Sequence, residues 1–138
     1  MNIFFDTGAF YALADASDAH HDSAKNFYAV AMKEHRFFTT SFVLVETWLL
    51  IRNKLGYNAA QKFSDGIRKG IVAVVDVPAS DLETAWAILV QYADPQFSLV
   101  DAASFAMMER LEISTAFSFD AHFRVYRLGN KTRITTVP

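Results

Sequence analysis

A chain of 138 residues, 52% hydrophobic and 20% charged, has the size and balance of one packed domain, which leaves no room for a second and excludes a disordered polymer. With no cysteine, a disulfide framework and a thiolate zinc site are excluded, and the cytoplasm is the expected compartment. Thirteen Lys and Arg against fifteen Asp and Glu give a formal charge of −2, which does not advertise a nucleic-acid binder, although acids gathered round a bound cation would make that sum misleading.

In chain order, NIFF reads as a first strand that ends abruptly in Asp6, and the spacing of Phe10, Tyr11 and Leu13 predicts a short helix over 7–14. A polar stretch, DASDAHHD, leads into a second helix over 18–34 carrying Ala24, Phe27, Tyr28 and Ala31, and RFFTT is a short strand. SFVLVETWLLIRNKLG is apolar on nearly every side, the pattern of a buried helix, with Gly56 closing it. Its apolar run is broken by Glu46 and stopped by Arg52, well short of the roughly 20 residues that cross a bilayer, so no membrane association is expected. No basic region precedes an apolar leader at the N-terminus.

Another helix is predicted over 58–69, and IVAVVDVP is a β-branched strand halted by Pro78. ASDLETAWAILVQYAD then reads as a helix with Leu82, Ala85, Trp86, Leu89 and Val90 on one stripe. SLVDAASFAMMERLEI is a further helix, STAFSF a strand, DAHFRVYRLG a short helical turn and RITTVP a last edge strand. Strands alternating with helices predict one α/β domain over 1–138, with a mainly parallel sheet covered on both faces.

In such open sheets ligands bind beyond the carboxyl ends of the strands, which is where Asp6 and Asp120 fall. Each acid also has an ordinary explanation. Asp6 can cap the helix that follows it, Asp101 completes the S-x-x-D capping pattern begun by Ser98, and Asp120 can cap the turn AHFRVY. Glu46 is different, because Val43, Leu44, Val45, Trp48, Leu49 and Leu50 leave its helix no broad polar face, and a buried carboxylate is costly unless paired or bound to a cation. Two carboxylates about 4 Å apart repel by roughly 4 kcal/mol at an effective dielectric near 20, so a cluster favours protonation or a divalent cation. Oxygen-only ligands point to magnesium or manganese rather than zinc.

IFFDTGAF, TTSFVLVETWLL, FSLVDAASFAMMERL and AFSFDAHF stand in the order and approximate spacing of the PIN-domain ribonucleases, and the chain most resembles the VapC-type toxins of toxin–antitoxin modules over essentially its whole length. The resemblance implies a three-layer α/β/α PIN-like domain that binds Mg2+ or Mn2+ and cuts RNA to leave 5′-phosphate and 3′-hydroxyl ends. The four family acids fall on Asp6, Glu46, Asp101 and Asp120, as metal ligands and catalytic groups, with Glu46 orienting a water or completing the shell. Thr7, Ser41, Ser98 and Ser118 occupy positions where the family often has a small hydroxyl residue. Many members carry another acid two positions after the fourth, where this chain has His122, which leaves the make-up of a second metal site open. The implied partners are RNA, a cognate antitoxin that blocks the pocket, and a second copy of the chain in a homodimer.

Arg52, Lys54, Arg68, Lys69, Arg124, Arg127, Lys131 and Arg133 are the cations available to RNA, a solvated helix face being the alternative. The phenylalanines and tryptophans are expected in the core rather than as base-stacking platforms, with Phe10, Tyr11, Phe123 and Tyr126 near the rim or its flanks, where they could help form a dimer or partner surface, and His20 and His21 solvated rather than ligating. Other functions remain in view. A phosphorylated receiver domain wants an acidic pair after its first strand and a haloacid-dehalogenase-like phosphatase wants D-x-D there, and FFDTGAF offers neither. A catalytically silent PIN-like module that binds RNA or protein, or an RNA-processing nuclease without an antitoxin, also fits the pattern.

Overall fold

The computed structural model describes residues 1–138. β1 (Asn2–Phe5), β2 (Arg36–Thr40), β3 (Ala73–Val75), β4 (Thr115–Phe117) and β7 (Thr135–Val137) form one sheet in the order β3-β2-β1-β4-β7. Every pairing in it is parallel. Seven helices surround it: α1 (Thr7–Ala14), α2 (His21–Glu34), α3 (Ser41–Leu55), α4 (Tyr57–Arg68), α5 (Ala79–Gln91), α6 (Leu99–Arg110) and α7 (His122–Val125). The expected α/β/α layering is therefore present.

Alternation along β1 separates the two layers. Phe5 stacks on Phe10 of α1 at 3.8 Å between ring centroids and lies edge-on to Tyr28 of α2, whereas Phe4 meets Phe123 of α7 on the other face. Phe105 of α6 closes that second layer by packing on Phe123 and Tyr126. All three β1 side chains from Ile3 to Phe5 are buried, as a central parallel strand requires. The chain leaves β1 toward β2 and β3, then returns past it to β4 and β7. β1 and β4 thus flank the point where the strand order reverses, and the crevice there opens at their carboxyl ends.

Several expectations are corrected. α2 begins at His21, because Asp15 and Asp18 accept the amides of Ser17 and His20 and hold the preceding residues in turns instead of extending the helix. β3 keeps only three residues of IVAVVDVP. α3 is not buried all round: Val43, Thr47 and Ile51 face inward on one narrow stripe, while Val45 and Leu49 lie exposed. α5 is rotated from its predicted stripe, turning Asp81, Ala85 and Ile88 inward and leaving Trp86 and Val90 in solvent. The rotation has a reason in Arg110 of α6, whose Nε donates to both Asp81 oxygens at 3.0 Å and whose Nη2 lies 2.9 Å from Oδ2. Phe10, Phe123 and Tyr126 are core residues rather than a rim surface, since each fills a layer against β1 or α6. A small antiparallel ribbon of β5 (Arg127–Leu128) and β6 (Thr132–Arg133) stands between α7 and β7 and has no counterpart in the sequence reading.

Candidate active site

Parallel pairing of β1 with β4 continues one step past the strands, where the Asp6 amide donates to the Phe117 carbonyl at 3.1 Å. That bond sets the two acid-bearing strand ends side by side. Asp6 occupies the N-cap position of α1, yet its carboxylate makes no capping hydrogen bond. It is buried and accepts the Ser118 hydroxyl at 2.9 Å on Oδ2. Burial pushes its pKa up to about 7; the Ser118 hydroxyl and Thr7 amide pull the other way, and the charges of Asp101 and Asp120 add to the rise.

Asp101 is buried in the first turn of α6. Its ordinary explanation holds. The capping box is complete, with the Asp101 amide donating to Ser98 Oγ at 3.0 Å and the Ser98 amide to Asp101 Oδ2 at 3.1 Å. The same Oδ2 lies 2.9 Å from His122 Nδ1. Asp120 accepts the His122 amide at 2.9 Å on Oδ1, while its own amide donates to Ser118 Oγ at 3.1 Å. Ser118 therefore ties Asp6 and Asp120 together through one hydroxyl.

Glu46 is exposed, contrary to the buried position expected for it, because it projects from the side of α3 away from Val43, Thr47 and Ile51. Thr7 Oγ1 donates to its Oε2 at 3.2 Å, across from α1. Partial desolvation raises its pKa, the Thr7 bond opposes this, and Asp101 and Asp120 raise it further. The charges of Asp101 and Asp120 thus act on both Asp6 and Glu46. None of the four is salt-bridged to a lysine or arginine, the only pairings being those of His122 with Asp101 and Asp120.

Three of the four hydroxyl residues bond the acids: Thr7 to Glu46, Ser98 to Asp101, and Ser118 to Asp6 and Asp120. Ser41 instead accepts the Val77 amide at 3.3 Å and touches none of them. At His122 the sequence shows only a departure from the family's further acid, with no means of aiming the ring. His20 is exposed as expected, its ring lying flat on Phe119 at 4.2 Å, while His21 is half-buried with Nδ1 2.7 Å from the Ala12 carbonyl.

The donor set suits a divalent cation. Asp101, Asp120 and His122 each present a ligand atom within 4.8 Å of the others, and the buried Asp6 beside them has no internal cation to match its charge. No helix is long and apolar enough to cross a membrane.

Comparison with known proteins agrees with the geometry. Residues 3–128 match the model of the PIN domain. The 23S rRNA-specific endonuclease VapC20 of Mycobacterium tuberculosis is 39% identical over 122 residues, 88% of this chain and 91% of that protein. Ribonuclease VapC26 of the same organism is 23% identical over 137 residues, 99% of this chain and 100% of the relative. The crystal structure of M. tuberculosis VapC20, described as a sarcin-ricin loop cleaving toxin, superposes with a TM-score of 0.79 at 38% identity, covering 86% of this chain and 90% of that one. VapBC2 from Rickettsia felis, bound to a DNA fragment from their promoter, shares the fold at a TM-score of 0.69 and 14% identity, with 100% of each chain covered. This chain belongs to the PIN-domain family, in its VapC-type branch.

Proposed function

We propose that the chain is a divalent-metal-dependent endoribonuclease, the toxin of a toxin–antitoxin pair, acting in the cytoplasm with Asp6, Glu46, Asp101 and Asp120 as its catalytic and metal-holding residues. The observation that carries this reading is a cluster of four carboxylates at the topological switch point with no lysine or arginine to neutralise it. The relatives' names, an endonuclease specific for 23S rRNA and a ribonuclease, support the substrate class.

Asp6, Asp101 and Asp120 hold the ion, Mg2+ or Mn2+. Bound there, it would supply Lewis acidity toward a phosphodiester and lower the pKa of an attacking water. The chain's own part is orientation. Ser118 fixes the Asp6 carboxylate and the Asp120 backbone with one hydroxyl, and Ser98 fixes Asp101 through the α6 cap. Glu46, steadied by Thr7 at the open mouth, positions the attacking water. Exposed Arg52, Lys54, Arg68, Lys69, Arg124, Lys131 and Arg133 are the cations available to RNA phosphates.

Exposed Val45 and Leu49 of α3, beside Leu44 and Trp48 and facing Ile67 of α4, form an apolar groove suited to the antitoxin or to a second copy of the chain. The decisive experiment measures RNA cleavage in Mg2+ or Mn2+ by the native chain and by Asp101→Asn. A cation worth several kcal/mol of transition-state stabilisation predicts a loss of roughly a thousandfold. Equal cutting by the variant removes Asp101 from the mechanism, and no cutting by the native chain leaves a silent binding module. A small open reading frame beside the gene whose product suppresses the cutting supports the toxin reading.

A further inference from the structure

We propose that His122 is a direct metal ligand through Nδ1, so that the site is a mixed nitrogen and oxygen one which favours Mn2+ over Mg2+. This rests on the metal-dependent reading above and extends it to a residue type that an all-carboxylate site lacks.

His122 opens α7, and its amide is fixed by Asp120 Oδ1 at 2.9 Å. Its ring packs against that of Phe97, with centroids 5.2 Å apart and planes at 68°, and Phe97 is itself buried. The packing directs Nδ1 at the acids, 2.9 Å from Asp101 Oδ2 and 3.6 Å from Asp120 Oδ1. Neighbouring donors in an octahedral shell with bonds near 2.1 Å stand about 3 Å apart, so Nδ1 lies near a shared-ion separation from each carboxylate, and the three residues have ligand atoms within 4.8 Å of one another. The two residues at 120 and 122 reach this arrangement from a single turn of chain, and Asp101 reaches it from the rigid first turn of α6.

The chemical consequence follows from donor hardness. Mg2+ takes oxygen donors and gives up water reluctantly, whereas first-row transition dications accept imidazole readily. Replacing one carboxylate of the rim with imidazole also removes a negative charge, a loss that Mn2+ offsets in part through the nitrogen bond and Mg2+ does not. The nitrogen therefore selects the ion.

The test uses the full chain without RNA, loaded with Mn2+ and read by pulsed electron paramagnetic resonance. A directly bound imidazole nitrogen gives 14N modulation of the Mn2+ signal. We expect that modulation in the native chain and its absence in both His122→Asp and His122→Ala. Competition titrations should show the Mn2+ to Mg2+ affinity ratio falling about tenfold in His122→Asp, an acid restoring the all-oxygen set. His122→Asp keeps a side chain able to accept bonds at the start of α7, and its circular dichroism should match the native spectrum. Native Mn2+ binding that needs Asp101 but shows no nitrogen modulation overturns the inference while leaving the nuclease reading intact. Failure of the native chain both to bind Mn2+ and to cut RNA overturns the two together.

Discussion

Asp6 and Asp81 are both buried carboxylates, and the chain treats them in opposite ways. Asp81, on the inward face of α5, is met by the Arg110 guanidinium on both oxygens, and that hydrogen bonding raises the already high Arg110 pKa. Asp6, at the sheet rim, receives one neutral hydroxyl and faces two further acids, and burial lifts its pKa to about 7. A buried acid with its counter-charge built in fastens two helices together. One without it is an open electrostatic demand, which a dication can meet. Burial alone does not mark a site; burial with no cation from the chain does.

The contrast can be tested most strongly through pH. An aspartate at about 7 in the folded chain and near 3.8 when unfolded means that between those values the folded state keeps a proton the unfolded state has lost. Stability of the metal-free protein should fall as pH rises through that window and level off above it. Urea unfolding in chelator at pH 5 and pH 8 should show a loss of about 2 to 4 kcal/mol in the native chain that Asp6→Asn lacks. Added Mn2+ should restore the native chain at pH 8. A flat profile would mean that Asp6 is not held near neutrality by its surroundings.

At Asp81 the expectation is reversed. Arg110→Met should cost about 2 to 3 kcal/mol in urea unfolding, below the usual cost of breaking a buried pair because much of the arginine side chain is in solvent. Metal binding and cleavage by the folded fraction should be unchanged, and adding Asp81→Leu should recover part of the stability. The smallest effect is expected from Ser118→Ala, which removes the hydroxyl shared by Asp6 and Asp120. Mn2+ affinity measured by titration should drop about tenfold with little change in unfolding midpoint. Equal affinity would separate Ser118 from the site.

Where local chemistry decides, the sequence was legible. β1, α1 and β2 follow from short-range pattern, Gly56 ends α3 with φ of 96°, and Ser98 with Asp101 forms the capping box that S-x-x-D announces. Asp6 and Asp120 could be placed on one rim because parallel strands share a carboxyl end. What depends on rotation was hidden. Apolar residues cover so much of α3 that its composition does not say which side faces inward, so Glu46 was expected to be buried. α5 turns to satisfy an arginine 29 positions from Asp81, a partner that no window on the helix itself contains. The His122 ring takes its direction from Phe97, far off in sequence, and so its reach toward Asp101 appears only in three dimensions.

β7 has a bearing on when the rim can exist. Its Val137 carbonyl accepts the Ser118 amide at 3.2 Å, and Thr135 donates to Ser114 at 2.9 Å, so this last strand braces the very segment from which Ser118 and Asp120 project. During synthesis every other element can emerge and pack while the 114–120 segment still lacks its outer neighbour. A nascent polypeptide stalled before residue 135 would carry all four acids in an unbraced form. Order at the rim is thus conferred from the far edge of the sheet, by a strand that carries none of the acids itself.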